Sequence, residues 1–196
     1  MKFLNKLLLG VALLCVASHS FATAGPWIMH DGFKLRAYNG SNINLTADTI
    51  KMVLVTSASN FGTTSVNNYA SLTNELSTAN GYTNGGAVVT VTWSGTSTVT
   101  FATSGSTVWT ASGGSIVARA ACLYDNTDTN KTIIACSILD NTPADVTVTS
   151  GNTLTVSAGT VMTLAVNDFW IAASQGVFVP AYAANDELWA PAKIAS

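Results

Sequence analysis

A chain of 196 residues with 48 % hydrophobic and only 9 % charged side chains is long enough for one domain with a real core, and too apolar to be disordered. Its net charge of −2 comes with no basic cluster to neutralise phosphates, so nucleic acid is not an expected partner. Polarity is supplied instead by 27 Thr, 19 Ser and 16 Asn, residue types that cover strand faces and fill turns.

Residues 1–24 place Lys2 and Lys6 around and ahead of an apolar run at 7–17, and end on the small-residue triplet Ala22-Thr-Ala24. That order predicts a secretory signal peptide cleaved near Ala24, and so short a run does not span a bilayer as a stable helix. The alternative is an upstream extension ahead of a domain that starts at or near Met29. Cleavage would leave six bases against ten acids, with Cys122 and Cys136 the only cysteines and His30 the only histidine.

From residue 25 the elements follow in order. Trp27, Ile28, Phe33 and Leu35 among polar residues predict a short helix over 27–37, closed by Asn39-Gly40. A strong strand follows at 49–56. Residues 57–68 read as a polar loop and 69–76 as a helical turn or irregular crossing. At 81–86 a glycine-rich turn follows, in which Gly81, Gly85 and Gly86 allow positive φ. Asn74 and Glu75 are expected to tie down backbone amides of the crossing loop; with the three glycines they are read as turn-shaping residues that bind nothing. Alternating Val and Thr at 87–93 and 97–101 predict a hairpin about Ser94-Gly95. Val108-Trp109 lies between two further turns.

The longest apolar pair, 115–124 and 131–139, is joined by the turn formers 125–130 and predicts a central antiparallel hairpin buried on both faces. A turn centred near Thr129 sets Cys122 opposite Cys136, Tyr124 opposite Ile134 and Ala120 opposite Ile138. Two facing cysteines can form a disulfide in an exported protein and stay thiols in a cytosolic one, and the sequence leaves both open. Short strands at 145–149, 152–156 and 160–166 complete the pattern of an all-β antiparallel sandwich, jelly-roll or Ig-like, spanning 25–167. Residues 168–196 read as an extended C-terminal arm docked on a neighbour, with Phe178, Tyr182 and Trp189 as candidate interface side chains.

Catalytic chemistry is sparse, and no enzyme is expected. His30 lacks the strand-turn-helix serine context of a nucleophilic relay and is assigned a surface or capping position. Glu75 and Glu187 are far apart in sequence, which disfavours a glycosidase pair. The oxygen-rich 125–130 stretch lacks the register and closing glutamate of a calcium loop, so neither a metal nor a cofactor is expected. Arg119, inside an apolar arm, is expected to pair with a carboxylate at the sheet edge or a subunit contact. Trp93, Trp109 and Trp170 sit near apolar strands and are expected in the core, whereas Trp189 is the candidate for contact with a subunit or a glycan.

Four stretches carry a resemblance: Leu45-Thr-Ala-Asp-Thr-Ile-Lys-Met-Val-Leu-Val-Thr-Ser57, Leu72-Thr-Asn-Glu-Leu-Ser77, Asn80-Gly-Tyr-Thr-Asn-Gly-Gly86 and Ala118-Arg-Ala-Ala-Cys-Leu-Tyr124. In this order they resemble a family of small virion structural proteins of tailed bacteriophages. The resemblance covers neither the signal-like segment nor the arm. It implies a β-sandwich exposed on a particle, as a decoration, fibre or tail component, with no catalysis. Its partners would be further copies of itself and other virion proteins, and its location the virion surface. The alternative is an exported adhesin or glycan-binding module, periplasmic or extracellular after cleavage near Ala24.

Overall fold

The computed structural model describes residues 24–38, 44–142 and 144–165, together with the backbone of two short strands further on. In chain order the described elements begin with β1 (Ile28–Met29), helix α1 (Asp31–Tyr38), β2 (Ile50–Val55), a single 3-10 turn (Tyr69–Ser71), β3 (Ala87–Val88) and β4 (Val91–Ser94). There follow β5 (Thr98–Thr103), β6 (Thr107–Thr110), β7 (Ile116–Ala118), β8 (Ala120–Asp125) and β9 (Ile133–Ile138). The last are β10 (Val146–Val148), β11 (Thr153–Val156), β12 (Gly159–Ala165), β13 (Phe169–Ile171) and β14 (Phe178–Pro180). The fold is all-β, antiparallel throughout and sandwich-like.

The most apolar runs make the middle of the molecule. β2, β8 and β9 are the inner strands of a five-stranded sheet ordered β1-β9-β8-β2-β3. Every residue of β8, and all of β9 except Ile138, is buried, which fits a sheet covered on both faces. The expected register holds at Cys122↔Cys136 and Ala120↔Ile138, but Tyr124 faces Ile133 rather than Ile134. A bulge causes the shift: Ile134 and Ala135 both belong to one core, while Ile133 belongs to the core on the opposite face. One extra residue in a strand moves everything beyond it to the other side of the sheet.

Two expected strands prove to be corners. The run at 87–93 divides: β3 pairs with β2 in the central sheet, and β4 pairs with β5 in the second layer, with buried Val89 between them. The arm at 115–124 divides at Arg119, where β7 pairs with β10 and β8 with β2. Strands that bend from one sheet into the next close the corners of a sandwich. The second layer itself consists of three groups, β12-β5-β4, β11-β6 and β10-β7.

Between the layers lies one core, in which Met52, Leu54, Ala121 and Leu123 meet Phe101, Trp109, Leu154 and Met162. The other face of the central sheet, with Val53, Val55, Cys122, Tyr124 and Cys136, is covered by Val66 and Leu72 and partly by Phe61 and Tyr69. That cover is the irregular chain between β2 and β3, called the strap below.

The helix expected at 27–37 starts later. Ile28 and Met29 are in β1, paired with Cys136 and Ala135, and Gly25 already donates its N–H to the Ile138 carbonyl at 2.9 Å. The open edge of β9 thereby finds backbone partners. The helix begins at Asp31, whose carboxylate sits in the first turn, where it suits the helix dipole.

Candidate functional site

The crossing segment 69–76 and the turn 81–86 converge on one carboxylate. Glu75 takes the hydroxyl of Tyr69 on Oε2, and the Tyr82 hydroxyl and the Gly85 N–H on Oε1, the last two at 2.6 Å each. Its own backbone lies against β2: Val55 and Glu75 form a bridge, and the Leu76 N–H donates to the Leu54 carbonyl at 3.0 Å. Tyr124, from the far strand, donates to the Gly85 carbonyl at 3.0 Å and stacks on Tyr69 with ring centroids 4.6 Å apart. A single acidic side chain thus gathers three donors of the strap itself, while the Leu76 and Tyr124 bonds, with one from Leu54 N to the Tyr82 hydroxyl at 3.2 Å, tie the strap to the sheet. Burial first, and then the bond to Glu75, pushes the Tyr69 and Tyr82 hydroxyls far above their ordinary range. Burial, followed by the Glu75 charge, pushes Tyr124 up to about 12. All three phenols therefore stay neutral across the physiological range.

Glu75 does hold a backbone amide, as expected. The Asn74 side chain instead donates to the Ala58 carbonyl at 2.8 Å, and it is the backbone carbonyl of Asn74 that accepts an amide, Thr56 N at 3.0 Å. Two of the glycines are needed for space as well as for positive φ. A Cβ on Gly86 would stand 2.0 Å from the Met52 carbonyl oxygen, and one on Gly81 would stand 1.9 Å from that of Thr110. The sequence pointed to these turn residues but not to Tyr69, Tyr82 and Tyr124. Beside the clasp lies a groove of about 230 Å³ lined by Thr56, Glu75, Ser77, Asn80, Ser115 and Val117. Because both Glu75 oxygens are engaged inside the fold, this carboxylate acts as a structural acceptor rather than a free base.

The remaining candidates fall elsewhere. The structure joins Cys122 to Cys136 through a 2.07 Å S–S bond on the strap side of the sheet. His30 is fully buried rather than at the surface; its carbonyl accepts from Lys34 N at the head of α1, and its Nδ1 lies 2.8 Å from the Val66 carbonyl. Arg119 meets backbone carbonyls: its Nη1 donates to those of Asp140, Thr142 and Ala144 at 3.1, 2.5 and 2.7 Å. Those three contacts hold the loop before β10. Trp109 is in the core, but Trp93 remains 40 % exposed at the sheet edge. Trp170 and Phe178 are described only as backbone in β13 and β14, while Tyr182 and Trp189 lie outside the described residues.

At the hairpin tip the acids are committed internally. Asp125 Oδ1 accepts from the N–H groups of Thr127 and Asp128. Burial works to raise the Asp128 carboxyl, but bonds from Thr132 and Asn130 together with Arg36 hold it below the usual carboxylate range; Arg36 Nη2 stands 2.9 Å away. Asp125 is raised, first by burial and also by Asp48 within hydrogen-bonding reach. Among the described residues no group of three or more His, Cys, Asp or Glu is placed to hold a metal ion.

The second layer shows a different feature. The sequence holds no Asp, Glu, Lys, Arg or His between Glu75 and Arg119, nor between Asp145 and Asp168. β4 to β7 and β10 to β12 all come from those two stretches, so this layer carries no charged side chain. Its outward positions are mainly Thr and Ser, with Val108 51 % and Val117 39 % exposed. Reading the charge along the chain, rather than as one total, would have revealed it. No protein-family model, curated protein or solved structure matches the chain.

Proposed function

We propose that this is a non-enzymatic structural protein of a tailed-phage virion, a capsid decoration, fibre or tail component that acts as copies bound to one another or to a particle surface. The observation that carries the reading is where the phage-like segments fall. Residues 45–57, 72–77 and 80–86 meet around Glu75, whose carboxylate is taken up by Tyr69, Tyr82 and Gly85. A resemblance concentrated in a clasp that shapes the fold speaks for shared architecture rather than shared chemistry. The charge-free second layer supports the same reading, since the centres of protein interfaces are depleted in charge.

A second reading, an exported adhesin or glycan-binding module, is favoured by the N-terminal geometry and the bonded cysteines. Gly25 and β1 are seated on β9, directly after the expected cleavage site at Ala24, and oxidised cysteines suit an exported protein. Non-reducing mass spectrometry of the protein from purified particles and from the exported fraction separates the two. The virion reading expects the chain in the particles. A form that begins at Gly25, carries the bonded cysteines and occurs only in the exported fraction would replace it with the second.

A further inference from the structure

We propose that the outer edge of β4 receives the β13–β14 ribbon of a second copy of this chain, so that copies are joined by strand addition. This deepens the reading above and rests on the protein working as an assembly of copies. β4 is the last strand of the group β12-β5-β4, and its far side pairs with no strand among the described residues. Exposed edges are normally guarded by Lys, Pro or a bulge. Val91-Thr92-Trp93-Ser94 has none of these, and its own Trp93 is 40 % exposed, as nearby Val88 is at 64 %. Trp93 contacts Phe101 at 6.1 Å between ring centroids, which leaves part of the indole open at the edge.

The arm supplies the complementary element. Phe169-Trp-Ile171 and Phe178-Val-Pro180 pair with each other in register and join no third strand among the described residues. An isolated two-stranded ribbon is marginal in water and gains stability from a third strand. Both edge and ribbon are uncharged, so no like-charge repulsion opposes their meeting, and main-chain hydrogen bonds supply the affinity of such additions.

Sedimentation velocity of the full chain tests this, with Thr92→Lys on β4, Trp170→Asp in the ribbon and Thr155→Lys on β11 as a remote control. The wild type and the control are expected to form the same oligomer. Thr92→Lys and Trp170→Asp are each expected to weaken it by about tenfold or more, with thermal melts verifying that the sandwich is folded. Should Thr92→Lys fail to fold, Trp170→Asp alone carries the decision, since among the described residues β13 pairs with no strand of the sandwich. A monomeric wild type at high concentration, or oligomers that ignore Trp170→Asp, overturns the proposal. Particles that contain the protein while these variants assemble unchanged would overturn the joint and leave the virion reading standing; β4-dependent oligomers from a protein missing from particles would do the reverse.

Discussion

The two faces of the central sheet are covered in opposite ways. On one, regular strands of the second layer bring Phe101, Trp109, Leu154 and Met162 onto Met52, Leu54 and Leu123. Strands satisfy their backbone by pairing, so apolar side chains suffice between the layers. On the other face the strap is irregular and must find separate partners for its peptide groups. Asn60 holds Thr73 N and the Ser71 carbonyl, Asn68 holds Ser71 N, and Glu75 holds Gly85 N. The sandwich side therefore spreads its stability over many apolar contacts, whereas the strap side adds a few polar atoms and one disulfide to a smaller apolar cluster.

Substitutions on the two faces should accordingly differ in kind. Phe101, fully buried between the layers, carries the largest expected loss: Phe101→Ala should lower stability by about 3–5 kcal/mol. It should do so as one cooperative transition, read as a lower urea midpoint with an unchanged slope. Replacing both Cys122 and Cys136 with Ala opens a link across 14 residues and should cost about 3 kcal/mol. Much of that acts through the unfolded chain, so native-state amide exchange in β8 and β9 should keep its order even as the global stability falls. Glu75→Gln should cost about 2 kcal/mol, because an amide nitrogen then meets a hydroxyl that had been donating to a carboxylate oxygen. The effect should be local: exchange should quicken at 57–85 ahead of both sheets. Uniform quickening across the molecule would mean that the strap is not a separate unit.

How much of this was legible in the sequence depended on how local the cause was. The central hairpin was readable because two apolar runs flank a turn, and its register near the cysteines followed from counting. The bulge at Ile134 was not, since an extra residue leaves no mark in an apolar run. The corners at Val89 and Arg119 were hidden for a similar reason: apolar residues flank each corner on both sides, Ala87-Val88 and Val91 at one and Ile116 to Ala118 and Ala120 to Leu123 at the other, so the run does not end where the chain leaves one sheet for the next. The helix was placed too early because β1 owes its strand to the edge of β9, a partner remote in sequence. Glu75 and its glycines stood out as turn chemistry, but Tyr124 joins them only through the folded sheet. His30 was assigned a surface or capping position and Asp125 a place among the turn formers of the hairpin tip, yet each is fully buried.

Asp125 gives the smallest expected effect, and one whose sign differs from that of the clasp. Among the described residues its Oδ2 is buried without a donor, on a carboxyl that also faces Asp48. Burial and that neighbour disfavour the charged form, so the folded chain holds a proton at pH values where the unfolded chain has released it. The folded state then binds more protons than the unfolded, and this group's contribution to stability is lost as pH rises from the ordinary carboxylate pKa through the raised one. Asp128 works in the opposite sense, because its lowered pKa adds stability that disappears only on acidification. Asp125→Asn removes the first contribution while leaving the second, and an Asn side chain can still accept from Thr127 and Asp128. Stability measured by urea between about pH 4 and pH 7 should fall less steeply with rising pH in Asp125→Asn than in the parent, with the variant gaining most at the neutral end. Parallel profiles would mean that Asp125 ionises as freely in the fold as out of it, and that the hairpin tip meets the 44–49 turn without a shared proton.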